Sequence, residues 1–93
     1  MNNEPRFSII LPVLDEGVEI IKTVHQLKKL KRAEQAEIIV VDGDAGGGTI
    51  QHLDPAGVIT QTAPAGRARQ MNAGANRASG DILLFLHADT ELP

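Results

Sequence analysis

The sequence predicts an open, doubly wound α/β sheet of parallel strands in βαβαβαβ order, and three observations predict it. Four apolar runs alternate with three segments of helical character along the whole chain. The runs are continuous rather than alternating, which is the pattern of parallel strands covered on both faces. The stronger runs end on Pro, Asp-Gly or His-x-Asp, so polar groups gather at the carboxyl edge, where ligands bind to such sheets. Each parallel crossover is expected to be right-handed.

Phe7-Ser8-Ile9-Ile10-Leu11, closed by Pro12, is the first strand, and Glu37-Ile38-Ile39-Val40-Val41, closed by Asp42-Gly43, is the second. Between them Val18, Ile21, Val24, Leu27 and Leu30 recur at helical spacing. Lys28, Lys29, Lys31 and Arg32 crowd the end of that helix, where its dipole favours cations. A short helix is expected from about Gly48 to Leu53, ended by Asp54-Pro55. Gly57-Val58-Ile59-Thr60 is a weaker third strand. From Ala65 to Ser79, Ala68, Met71, Ala75 and Ala78 mark an apolar helix face, and Gly80 stops it. The fourth strand, Asp81 to Leu86, runs into His87-Ala88-Asp89-Thr90.

Ninety-three residues make one domain at most, with a modest core. Phe7 and Phe85 are the only aromatics, so aliphatic residues must build that core. A net charge of -3 argues against a general nucleic-acid binder. The absence of cysteine excludes disulfides, thiolate metal sites and thiol nucleophiles. No apolar run reaches membrane-spanning length and the first six residues are too polar for a signal peptide, so a cytoplasmic chain is expected, at the inner face of the membrane if it is part of a longer protein. No repeat, low-complexity tract or linker points to a second domain.

The polar groups at the strand ends carry the chemistry. After the first strand, Val13 and Leu14 would expose backbone groups, and Asp15 or Glu16 could accept hydrogen bonds from a sugar or base. Alternatively Asp15 caps the next helix and Glu16 complements its positive end. After the second strand, Gly46-Gly47-Gly48 allows unusual dihedrals and close approach to a ligand, or serves only as a turn. That loop lacks the Gly-Lys-Ser/Thr of a P-loop and does not match Gly-x-Gly-x-x-Gly. Asp42, at the strand tip, could accept a base N–H or cap the turn. Arg67 and Arg69 stand at a helix start, where the dipole prefers an acid, so a phosphate or carboxylate partner is implied, unless the face is simply solvated. Asn72 and Asn76 share the helix surface with Arg69. Asp89 suits magnesium or manganese, with His87 as a second ligand or an orienting neighbour.

In succession these segments resemble the donor half of family 2 glycosyltransferases. The resemblance is carried by Ser8 to Glu16, Glu37 to Gly43, Gly48-Thr49, Gly66-Arg67-Ala68-Arg69-Gln70-Met71-Asn72-Ala73-Gly74-Ala75, and Gly80 to Thr90, which together cover nearly the whole chain. It implies a Rossmann-like, partial GT-A fold for nucleotide-diphospho-sugar transfer, with residues 1–93 forming the donor-binding portion and the acceptor half absent. It also implies that Pro12, Val13, Leu14 and Glu16 line the nucleoside pocket, that Asp42 contacts the base, and that Arg67, Arg69 and Asn72 border the nucleotide. Asp89 matches the second Asp of the family's Asp-x-Asp motif, which holds a divalent cation, manganese or magnesium, on the donor diphosphate.

His87 stands where that motif has its first Asp, and Gly47 where the family's Gly-Ser-x-Asp-Gly-Thr loop has an acid. The resembling branch tolerates His87, but the loop, which lacks both the serine and that acid, implies looser nucleotide binding. In an inverting member a carboxylate base activates the acceptor hydroxyl. No catalytic residue is assigned within this chain, so it is expected to transfer little or no sugar alone. Two other readings use the same fold: a non-catalytic nucleotide-binding or assembly module, and another Rossmann-like enzyme such as a nucleotidyltransferase. An uncovered sheet edge would also favour homo-oligomers.

Overall fold

The computed structural model describes residues 6–14, 17–29, 36–48, 50–53 and 58–86, with backbone alone at 17–19 and 52. The elements follow the predicted alternation: β1 (Phe7–Val13), α1 (Gly17–Lys28), β2 (Ala36–Asp42), a single 3-10 turn at Ile50–His52, β3 (Val58–Thr62), α2 (Arg67–Arg77) and β4 (Ile82–Phe85). Leu30, Lys31, Arg32, Thr49, Asp54, Pro55 and Gly57 lie outside the described residues.

All pairings are parallel and the strand order is β3-β2-β1-β4. The chain therefore steps one way from β1 to β3 and then crosses back over β2 and β1 to β4. Such a reversal is the topological switch point of an open α/β sheet, and the crevice it opens lies beyond the carboxyl ends of β1 and β4.

Because β1 and β2 are central, successive side chains enter opposite cores, which explains their unbroken apolarity. Ile9, Leu11, Val13, Ile38 and Val40 face one way and pack with Ile20, Val24 and Leu27 of α1. Ile10, Ile39 and Val41 face the other way and meet Ala73, Ala75 and Ala78 on the α2 side.

The buried stripe of α1 is centred on Ile20 rather than Ile21, which is 44% exposed. Ile20, Val24 and Leu27 fall on one side at 3.6 residues per turn, and Ile21 lies about 100° away. The inward face of α2 is likewise centred on Gln70 and Gly74, the two buried residues of that helix, while Ala68 is exposed. A Cβ at Gly74 would sit 2.5 Å from Ile10 Cγ2, so the helix rides closer to the sheet than any side chain there would allow.

β4 departs from the expectation of a strand covered on both faces. Its four side chains, Ile82, Leu83, Leu84 and Phe85, are 39–45% exposed. Neither helix covers it: α1 packs on β1 and β2 on one face, and α2 lies over the same two strands on the other.

At the amino edge of the sheet, the Glu37 carboxylate accepts hydrogen bonds from the Ser8 hydroxyl and from the backbone and hydroxyl of Ser79. The Gly80 N–H donates to Ser8 Oγ at 2.8 Å. Burial alone would raise the Glu37 carboxyl, but the bonds from Ser8, Ser79 and the Gly80 backbone outweigh it and hold the group below its ordinary value. This network anchors the α2–β4 connection at the end of the sheet opposite the switch point.

Candidate functional site at the carboxyl edge

Three chain segments meet at the carboxyl edge: the end of β1, the end of β2 and the start of α2. The Gly43 N–H donates to the Val13 carbonyl at 2.9 Å, and the Ala63 N–H to the Asp42 carbonyl at 2.9 Å. Pro12 and Val13 are buried, so Leu14, 48% exposed, is the described residue of that turn whose side chain faces solvent.

Asp42 is fully buried. One carboxylate oxygen accepts the Asp44 N–H at 2.9 Å and the other the Ile50 N–H at 3.3 Å. Of the two roles open to it from sequence, turn organiser is the one its hydrogen bonds display. Asp44 continues the pattern, its oxygens accepting the Gly46 and Gly48 amides at 3.0 and 3.2 Å. The Gly47 N–H bonds the Asp44 carbonyl at 2.8 Å. All three amides of the glycine run thus turn inward onto Asp44, so the loop is closed around its own carboxylate rather than open as a cradle for an outside phosphate. Of these glycines only Gly47 has a left-handed backbone, with φ 66°. An acid introduced there would have to adopt that conformation with its Cβ 3.3 Å from Ile50 Cγ1.

α2 opens without a side-chain cap and without an acid in its first turn. Arg67 and Arg69 are exposed on either side of Gln70, and no carboxylate among the described residues pairs with them. Two cations at the positive end of a helix raise the local potential and favour an anion nearby. Asn72 is exposed, about 200° round the helix from Gln70 and about 60° from Arg69.

The residue that joins the three segments is Gln70, which carried no role in the sequence reading. Only 4% exposed, it donates from Nε2 to the Val13 carbonyl at 2.8 Å and to the Val41 carbonyl at 2.9 Å. Its Oε1 accepts the Gly66 N–H at 3.1 Å. The signal in the sequence was a polar residue in register with Gly74 and Ala78, four and eight positions on, within a stripe of small residues.

Glu16 and Asp15 lie outside the described residues, as do His87 and Asp89. Leu86 is the last described residue before the latter pair, and its N–H bonds the Ile10 carbonyl at 3.0 Å, keeping the chain beside β1. Among the described residues there is no cluster of His, Cys, Asp and Glu able to hold a metal ion, and no helix is long and apolar enough to cross a membrane.

Comparison with known proteins agrees with this architecture. The family model for glycosyl transferase family 2 matches residues 8–93. Two uncharacterized glycosyltransferases, from two strains of Mycobacterium tuberculosis, are each 32% identical over 92 residues, covering 95% of this chain and 35% of theirs. The chain therefore spans about a third of the length of these curated relatives. Among solved structures, a Pyrobaculum calidifontis mannosyltransferase in complex with GDP-Man and Mn2+ superposes with a TM-score of 0.78 at 24% identity, over 96% of this chain and 29% of that one. TarS of S. aureus superposes at 0.60 with 20% identity, over 90% and 27%. At these identities the likeness shows the fold, a four-stranded parallel sheet with its helices. On the extent of the family match, the chain belongs to glycosyl transferase family 2.

Proposed function

We propose that these residues are the donor-binding portion of a glycosyltransferase that takes a nucleotide-diphospho-sugar, with a divalent cation, and passes the sugar to an acceptor. The observation that carries this reading is the convergence at the carboxyl edge of the sheet. There the β1 and β2 ends are hydrogen-bonded to the start of α2, whose two exposed arginines await an anion. Leu14, Arg67 and Arg69 are proposed to meet the nucleotide directly, with Pro12 and Val13 shaping the floor beneath it. Asp42 would act through the loop amides it holds, and Asn72 would border the donor beside Arg69.

Glu16 is proposed for the nucleoside pocket, and Asp89, with His87 beside it, for the cation. A bound divalent ion would neutralise charge developing on the departing nucleoside diphosphate. Support for this pairing of donor and metal comes from the mannosyltransferase with the same fold, which holds GDP-Man and Mn2+. The acceptor pocket and the base are proposed to lie outside these residues, so the chain alone transfers little or no sugar.

Titration of the chain with GDP, UDP and their sugars, with and without MnCl2, tests the reading. Metal-dependent binding that Asp89→Ala abolishes is the expected result. Binding indifferent to metal would favour a nucleotide-binding module instead, and no binding would remove the donor assignment altogether.

A further inference from the structure

We infer that Gln70 is a positioning residue for the donor site: one buried amide sets the distance between the two strand ends and the start of α2. The inference rests on the donor-binding reading above.

Apolar contact is not directional, so a helix held only by alanine and glycine can slide on a sheet. Nothing in the contacts of Ala73, Gly74, Ala75 and Ala78 prescribes where the first turn of α2 must stand relative to Val13 and Val41. The three hydrogen bonds of Gln70 do. The two Nε2 hydrogens go to two different strands, and Oε1 receives the amide of the residue that begins the helix. The orientation of the side chain is unique, because a flipped amide would set an oxygen against two carbonyls. Leu14, the Asp42 loop, Arg67 and Arg69 are each within one or two residues of a bonded atom, so their spacing is set by this side chain.

Gly43 belongs to the same device. A Cβ at that position would lie 2.8 Å from Gln70 Oε1, 3.0 Å from its Cδ and 3.2 Å from Ala65 Cα. The φ of Gly43 is not in the left-handed region, so glycine is required there for the close approach of Gln70 and the Ala65 backbone rather than for its dihedral freedom.

The test compares the wild-type chain with Gln70→Ala, Gly43→Ala, the double variant and Val24→Ala, titrated with GDP and UDP in MnCl2 at a temperature where circular dichroism shows each to be folded. Gln70→Ala should weaken binding about tenfold or more and speed exchange of the Gly66 amide. Val24→Ala lowers the melting temperature from the opposite face and should leave affinity within about twofold. Gly43→Ala should weaken binding in the wild-type background and add little in the Gln70→Ala background. If Gln70→Ala does not fold, Gly43→Ala, which retains every donor and acceptor of Gln70, still gives the comparison. Undiminished binding by the Gln70 and Gly43 variants, or an equal loss in Val24→Ala, overturns this inference alone. Absence of binding by the wild-type chain overturns the donor reading and this inference with it.

Discussion

The two helices are held to the same sheet by different means. α1 meets it through Ile20, Val24 and Leu27 against five branched or long aliphatic side chains, an interface of area and shape. α2 meets it through a glycine pressed on Ile10 and Val41, a few alanines, and a glutamine with three hydrogen bonds. The first arrangement tolerates small shifts, since dispersion and burial change gradually with distance. The second specifies position, because hydrogen bonds weaken steeply away from their preferred geometry. The side that specifies position is the side that presents the arginines.

The contrast can be broken or sharpened by substitution. Ile20→Ala, in the α1 core, should lose about 2–5 kcal/mol in urea denaturation while leaving nucleotide affinity of the folded chain unchanged. A matching loss of affinity would erase the distinction between the two sides. Gly74→Ala should destabilise by about 1–3 kcal/mol, although alanine is the better helix former, because its Cβ would overlap Ile10. It should also weaken binding by lifting α2, and thermal melts alongside titration check both outcomes.

Leu84→Thr on the exposed β4 should change stability by only about 0.5–1 kcal/mol. The same substitution should reduce self-association through that strand, measured by light scattering across a concentration series. A chain that is monomeric throughout would argue against association at this edge.

The smallest effect is confined to acid. The folded-state value of Glu37 lies below its ordinary 4.5, so the folded chain binds that proton less readily than the unfolded one. Its contribution is complete above the ordinary value and is lost as pH falls through the lower, folded-state value. Glu37→Gln should therefore flatten the acid limb of stability against pH, read from urea midpoints between neutral and acidic pH.

Much of the architecture was legible from sequence because it rests on local pattern. Unbroken runs such as Ile38 to Val41 read correctly as central strands, and the alternation with helices gave the fold class. Legibility failed where a side chain's surroundings were set by a distant segment. Ile82 to Phe85 have the same apolar character as Ile38 to Val41, yet they are exposed because both helices pack on β1 and β2 instead. Asp42 was visible as a strand-tip carboxylate, but its hydrogen bonds to Asp44 and Ile50 were not. Gln70 is hard to read from sequence because a polar residue in a helix is ordinarily solvated, and only the approach of two strand ends gives it buried partners.

By itself, then, the sequence determined the order of elements, the two-sided burial of β1 and β2, and the family, since each depends on residue type and spacing along the chain. Tertiary structure alone decided that the glycine loop closes on Asp44, that β4 is uncovered, and that Gln70 joins three segments. These outcomes depend on where distant segments pack, Gln70 bonding residues 29 and 57 positions away, or on the backbone conformation of a single turn. Such distances follow from how closely a helix can approach a sheet, and at Gly43 and Gly74 that approach is governed by the absence of a single carbon atom.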